Sequence, residues 1–375
     1  MFGFGKKKIA SLLGVDVGAS GVKLVELSNE GGRARLLTYG YTERDANAVP
    51  LLEDPAAAGK LLADVWGASG AMGRRAVAAL PLSQVFTAVI AIPSPKTQEA
   101  AKPILEVQAR KLVPLPLEEM VLSWTFIDPV KKESVLKKEV GKVKKVEETG
   151  NQELATSKPE EQKNVRVLLS AAPKSLVSRY VEIFRAAKLE LTALDLESFG
   201  LIRSLIGKDR STVLLVDMGA VRTNLTVVEK GIPFFTRSVQ IGGNAFTGAL
   251  AKMLSVSESE AAQMKFDLAM SPLAPTVPDL VKQVFGELVN EVRYVFEQYK
   301  RQEFSDSKRV EKLILTGGSA HLPGIARFFV DALGVNAYVG DPWARVAVPE
   351  DVRLLLETVG PSLAIAVGLA MRENE

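Results

Sequence analysis

LLGVDVGASGVKLVE, Leu12–Glu26, runs an apolar β-type stretch into Asp-x-Gly, then small and hydroxyl residues, then a second β-type stretch. That order predicts a hairpin with a tight turn at its tip. The same grammar returns in LLVDMGAVRTNLTVV, Leu214–Val228. A glycine at such a tip lets main chain come close to a polyphosphate. Neighbouring N–H groups and hydroxyls donate to its oxygens, and an aspartate two residues earlier can hold a hydrated Mg²⁺ against them. The candidates are Asp16, Gly18, Ala19, Ser20 and Lys23 in the first copy and Asp217, Gly219, Ala220, Thr223 and Asn224 in the second, with Asp16 and Asp217 nearest the metal. Asp-x-Gly alone is a common turn; two copies imply a duplicated phosphate grip.

A third segment, LILTGGSAHLPGIARFFVDALG at Leu313–Gly334, reads as a buried strand ending in Gly317-Gly318 and leading to an amphipathic helix. A Gly-Gly step leaves main chain bare, so that a flat base or sugar can lie against it.

The order of hairpin, hairpin and Gly-Gly strand resembles the actin, Hsp70 and sugar-kinase superfamily. More closely, the chain resembles the PilM family of type IV pilus assembly proteins, relatives of the cell-division protein FtsA. The segments that carry this likeness are RKLVPLPLEEMVLSW (Arg110–Trp124), VRVLLSAAPKSLVSRYVEIFRAAKLELTALDLESFGLIRSL (Val165–Leu205), VEKGIPFFTRSVQIGGNAFTGALA (Val228–Ala251) and PSLAIAVGLAMR (Pro361–Arg372).

The resemblance implies an α/β, actin-like ATPase fold of two RNase H-like domains with an FtsA-type inserted subdomain, binding ATP and Mg²⁺ between the domains. It places Gly242 and Gly243 near the ribose, Gly317, Gly318 and Ser319 near the adenosine, and Lys265 beside the base or ribose; the lysine's usual glutamate companion is replaced, Ala262 and Gln263 standing at the candidate positions. Glu197, in LDLESF at the crossing between domains, is by analogy the residue that would orient an attacking water, with hydrolysis expected to be weak or absent. The implied partner is the cytoplasmic N-terminal tail of a PilN-like inner-membrane protein, with Leu112, Val113, Leu115 and Pro116 as candidate contacts beside a proline-stiffened loop. Other pilus inner-membrane or motor components, and further copies of the chain, are additional expected partners.

Bulk properties narrow the alternatives. The 375 residues suffice for two domains. Lys+Arg of 47 against Asp+Glu of 44 leaves a net charge of +3, which gives no nucleic-acid-binding field. Without cysteine there is no disulfide, thiol nucleophile or Cys-ligated zinc, and the single histidine, His321 in GGSAHLPG, reads as a turn residue. The start MFGFGKKKIASLLGV does not read as a signal peptide, and no apolar run reaches the roughly 18 residues of a membrane span. A cytoplasmic protein recruited to the inner-membrane face by its partner is expected.

The expected organisation is a basic tail (1–10), a first core domain (11–81 and 165–210), an inserted subdomain (82–164), a second core domain (211–240 and 311–375) and its helical subdomain (241–310). Pro129–Asn164, with nine lysines and seven glutamates, buries too little to offset its ordering entropy and reads as a solvated loop. The final helix is expected near Ser362–Met371. Three other readings stay open. A sugar-type kinase would need a base among Asp45, Asp54, Asp64 and Asp128; an FtsA-like filament former is disfavoured by a final Arg372-Glu373-Asn374-Glu375 with no basic amphipathic helix; the third is the equivalent adaptor of a type II secretion system.

Overall fold

The computed structural model describes residues 11–19, 21–42, 49–95, 97, 99–128, 164–270 and 278–374. The expected basic tail, Ser20, Asp45 and all but the last residue of the charged insert lie outside them. Strands β1 (Ser11–Gly18), β2 (Gly21–Glu30) and β3 (Arg33–Tyr41) form an antiparallel meander in which Asp16 pairs with Lys23 at the hairpin's open tip. β1 is buried from Leu12 to Val17 because both faces of its sheet are covered, which is why it reads as a continuous apolar run rather than an alternation. Helix α1 (Pro55–Ala68) follows, started by Pro55 and by Asp54, whose carboxylate accepts from the Ala57 amide at 3.0 Å. β4 (Arg75–Leu80) then pairs parallel to β1.

At Pro81 the chain leaves this sheet. β5 (Phe86–Pro93), α2 (Ala101–Leu112), β6 (Met120–Phe126) and β7 (Asn164–Pro173) build a separate antiparallel sheet, order β5-β7-β6, with Leu105 and Ala109 of α2 packed on Ile92, Val167 and Leu169. α3 (Lys174–Ala186) and β8 (Glu190–Leu196) return to the first sheet, where β8 pairs parallel to β4 and α3 packs beside α1.

Helix α4 (Glu197–Leu201) continues as a π turn (Ile202–Ile206) and carries the chain to a second sheet. Strands β9 (Val213–Met218), β10 (Thr223–Glu229) and β11 (Ile232–Val239) repeat the opening meander, with Asp217 opposite Asn224 just as Asp16 is opposite Lys23. Helices α5 (Gly243–Leu254), α6 (Glu258–Met270) and α7 (Pro278–Lys300) precede β12 (Lys312–Thr316), which pairs parallel to β9 as β4 does to β1. α8 (Ile325–Leu333) and β13 (Asn336–Val339) complete the order β11-β10-β9-β12-β13. The fold is thus α/β with the topology of the first sheet repeated in the second.

The last segment departs from expectation. A short strand, β14 (Val346–Ala347), which the sequence did not reveal, pairs with β3 at the far edge of the first sheet, giving the order β14-β3-β2-β1-β4-β8. Helix α9 begins at Arg353 and runs to Ala370, nine residues earlier than expected, and packs on β1 and β2 rather than on the second sheet alone. Pro361 was the misleading signal, because an interior proline normally ends a helix. Here the carbonyl of Glu357, which loses its helical donor to the proline ring, lies 3.1 Å from His321 Nε2. His321 is therefore a structural residue that completes the helix. Glu350–Glu373 is long and apolar enough to cross a membrane, contrary to the sequence estimate, yet 67% of its 18-residue apolar window is buried inside the fold. A Cβ on Gly14 of β1 would stand 1.9 Å from the Ala366 carbonyl, and one on Gly368 would stand 1.7 Å from that of Gly200. Backbone-to-backbone contact of that kind makes α9 the central pillar of the core.

Between the sheets, α4, the π turn and α9 share one apolar cluster: Leu12, Val77 and Ala79 from the first sheet meet Val213, Leu215 and Ile314 from the second around Leu201, Ile202, Ile365 and Leu369. This shared core holds the two phosphate-type hairpins facing each other.

Candidate functional site: a cleft between two Asp-x-Gly hairpins

The cavity between the sheets is lined by Asp16, Gly18, Ala19 and Lys23 from the first hairpin, Asp217, Gly219, Ala220 and Asn224 from the second, Glu197 from α4 and Gly317 from the end of β12. The duplicated motif and the crossing glutamate therefore converge on one place. Lys23 Nζ lies 3.5 Å from Asp16 Oδ2, an ion pair within the first hairpin at the cavity wall. Glu197 stands at the first position of α4, where its Oε2 accepts from the Leu82 amide at 3.0 Å and from Asn224 Nδ2 at 3.1 Å. Asn224 Oδ1 in turn accepts from Ser238 Oγ at 2.8 Å, which fixes the amide's orientation.

Crowding carboxylates at a poorly solvated floor raises their proton affinity. Burial, with Asp16 and Asp217 adding their repulsion, pushes Glu197 up to about 8. Burial pushes Asp217 up to about 6; repulsion from Asp16 adds to this, while the Lys23 ammonium opposes it. Near neutral pH the floor is short of positive charge.

The backbone around this floor is open where a ligand would need it. A Cβ on Gly318 would meet nothing within 4 Å, and one on Gly18 would meet only Gly21 O at 3.7 Å and the Asp16 carboxylate at 4.0 Å. Gly317 has φ +87° and donates its N–H to the Pro361 carbonyl at 3.0 Å; Thr316 Oγ1 reaches the same oxygen at 2.8 Å. The Gly-Gly turn is thereby tied to the proline of α9, which also lines the cavity.

Gly242, Gly243, Ser319 and Lys265 lie behind the second hairpin. The Gly243 amide donates to Gly219 O at 2.9 Å and Lys265 Nζ to Gly243 O at 3.3 Å. A Cβ on Gly242 would come within 2.5 Å of Ala220 O, and one on Gly243 within 2.6 Å of Ser319 Oγ. These glycines are required by packing of the α5 start against the hairpin.

Two expected roles are not met. Thr223 is fully buried and its hydroxyl donates to Ile241 O at 2.6 Å, so it braces the hairpin and does not face the cavity. Val113 is buried in the core of the inserted sheet, whereas Leu112 and Leu115 are exposed (42% and 45%) and Pro116 is exposed with them. A residue directly after a helix and before proline can still turn inward, and Val113 does. Of the four bases that a kinase reading would need, Asp54 caps α1 and Asp128 clasps Arg166 through contacts of 2.8–3.2 Å, Asp64 lines a separate surface depression beside Tyr39 and Ser69, and Asp45 lies outside the described residues.

The sequence reading missed the Leu82 amide, Ser83, Arg179 and Arg222, all at or in the cavity wall. Arg222 stood inside a quoted motif; its charge, among residues chosen for smallness, was the available signal.

The geometry agrees with comparison to known proteins. A family model described as type IV pilus assembly protein PilM matches residues 14–141 and 152–374. The chain is 25% identical over 183 residues to the cell division protein FtsA of Borreliella burgdorferi, covering 44% of this chain and 43% of that protein; it spans less than half the length of such curated relatives. Among solved structures, a PilM-PilN type IV pilus biogenesis complex matches with a TM-score of 0.76 and 26% identity over 97% of this chain and 98% of that one. MreB5 of Spiroplasma citri bound to ADP matches in fold alone, with a TM-score of 0.51 and 10% identity over 96% and 94% of the two chains. The fold is that of the actin-like ATPases, and the chain belongs to the type IV pilus assembly protein PilM family.

Proposed function

We propose that the chain is an ATP-binding adaptor of the type IV pilus assembly machinery, working on the cytoplasmic face of the inner membrane, where it holds the tail of a PilN-like membrane protein. The observation that carries the nucleotide part is the pair of Asp-x-Gly hairpins facing one cavity, with bare main chain at Gly18 on its wall. The residues present fit a magnesium-nucleotide: its cation would supply the charge that Asp16, Asp217 and Glu197 lack, and its phosphates would meet the amides of the two hairpin tips. Among the described residues no three acidic or histidine side chains converge as direct metal ligands, so Asp16 and Asp217 would hold the ion through its waters.

The two hydrogen bonds that fix Glu197 Oε2 support a role in orienting a water. A carboxyl held near 8 is largely protonated at neutral pH and is a poor base until a cation lowers it. This supports slow or absent hydrolysis, with nucleotide acting mainly to stabilise the closed cleft. Among the described residues none of Asp54, Asp64 and Asp128 lines the cleft, which weighs against the kinase reading.

For the partner, the exposed Leu112, Leu115 and Pro116 beside α2 offer an apolar, proline-stiffened seat for an extended segment. The PilM-PilN complex, so similar over the whole chain, favours a PilN-like occupant. Titrating the ATP-loaded chain against a labelled peptide of the PilN-like tail, followed by fluorescence anisotropy, tests this. Saturable binding that Leu115→Asp weakens by about tenfold or more is expected, because burial of one leucine is worth about 1.5–3 kcal/mol. No saturation at high protein concentration would overturn the adaptor reading.

A further inference from the structure

Arg222 occupies the tip of the second hairpin, between Gly219, whose amide donates to the Arg222 carbonyl at 3.0 Å, and Thr223, whose hydroxyl is locked on Ile241. Its backbone is thus as fixed as the phosphate turn itself. Its guanidinium crosses the cleft and donates to the hydroxyl of Ser83. Ser83 belongs to a short 3-10 turn, Leu82–Gln84, that joins the first sheet at β4 to the inserted sheet at β5. The preceding amide in this turn, that of Leu82, is the one that holds Glu197. A single three-residue connector is therefore gripped from both sides of the cleft, once by the carboxylate of the floor and once by a cation of the opposite hairpin.

We propose that Arg222 reads the terminal phosphate of a nucleoside triphosphate, and that in binding it Arg222 releases Ser83. The inference deepens the nucleotide reading above and rests on it. A guanidinium bonded once to a neutral hydroxyl exchanges readily for a phosphate oxygen, since the phosphate adds a full opposite charge and accepts through two parallel N–H bonds. Arg222 lines the same cavity as Gly18, Lys23 and Gly219, and of these cations Lys23 is already paired with Asp16. A diphosphate, lacking the outermost group, leaves Arg222 on Ser83. The connector to the inserted sheet is then held from the second hairpin with diphosphate bound and freed from it with triphosphate bound.

The test uses the full chain with Mg²⁺ and either AMP-PNP or ADP, measured by isothermal titration calorimetry. Arg222→Ala is expected to weaken AMP-PNP by about tenfold or more while leaving ADP within about twofold, with Arg222→Lys in between. Ser83→Ala, which removes the competing acceptor, keeps or increases the preference for AMP-PNP. Hydrogen exchange at the amides of Gln84–Phe86 is expected to be faster with AMP-PNP than with ADP in the unaltered chain, and nucleotide-independent in Arg222→Ala. Equal weakening of both nucleotides, or of neither, would overturn the role of Arg222 while leaving the nucleotide site standing. Binding of neither nucleotide by the unaltered chain would overturn the site, and this inference with it. Arg222→Lys keeps the comparison available should the alanine variant fold poorly.

Discussion

Replacing Glu197 with glutamine should make the ligand-free chain more stable, and by an amount that depends on pH. Glutamine keeps an oxygen to accept from the Leu82 amide and from Asn224, and removes the charge. The folded state holds the Glu197 proton up to about 8 against an ordinary 4.5, so between those values the folded chain binds more protons than the unfolded one. Stability therefore falls as pH rises through this window, is unaffected by Glu197 below about 4.5, and carries the full penalty above about 8. At about 1.4 kcal/mol per pH unit the ceiling is about 5 kcal/mol. Glu197 is only partly covered, because it lines the cavity and water reaches it; halving the ceiling for that screening gives about 2–3 kcal/mol. Urea unfolding of both proteins at pH 5.0 and 8.5, without nucleotide or Mg²⁺, measures it. Near-equal midpoints at pH 5.0 and a more stable Glu197→Gln at pH 8.5 are expected. Parallel pH profiles for the two proteins would refute the claim that a partly desolvated, carboxylate-crowded Glu197 destabilises the ligand-free cleft.

Further outcomes follow from other parts of the structure. Asp217→Ala should abolish stabilisation by Mg-ATP, which at a hundredfold excess over Kd amounts to about 2.7 kcal/mol; an unchanged thermal shift would remove Asp217 from the site. Arg166→Ala should cost about 1–3 kcal/mol and raise protease sensitivity of the inserted sheet, because Arg166 on β7 joins Asp128 to Phe304 O at 2.8 Å and to Asp306 at 3.0 Å in the second half of the chain. Gly368→Ala should cost about 3 kcal/mol or more, or prevent folding, since its new methyl would overlap the Gly200 carbonyl of α4; a midpoint within 1–2 °C of the unaltered chain would show that α9 and α4 are not in backbone contact.

Much of this protein was legible in its residue order. Local chemistry sets the hairpin tips, because Asp-x-Gly between two apolar β-type runs favours a turn, although the register that pairs Asp16 with Lys23 and Asp217 with Asn224 came from the structure. β4 was read to the residue, and the α/β alternation with two copies of one topology follows from the repeat. Asp16, Gly18, Asp217, Gly219 and Glu197 could be gathered into one cleft before any coordinates, on the strength of the repeated motif and the family likeness.

What the residue order left open depends on groups brought together from far along the chain. Whether Thr223 faces a ligand or Ile241, and whether Val113 faces a partner or the core, is a matter of side-chain direction that only packing resolves. Glu197 and Asp217 acquire their raised proton affinities first because the fold buries them at the cleft floor and then because Asp16, some 200 residues away from Asp217, comes to share it. α9 could not be read through Pro361, since the partner for the carbonyl that the proline exposes, His321, comes from a turn on another strand. Arg222 and Ser83 are unremarkable apart; their bond across the cleft exists only because the shared core of α4 and α9 holds two locally determined hairpins at a fixed distance.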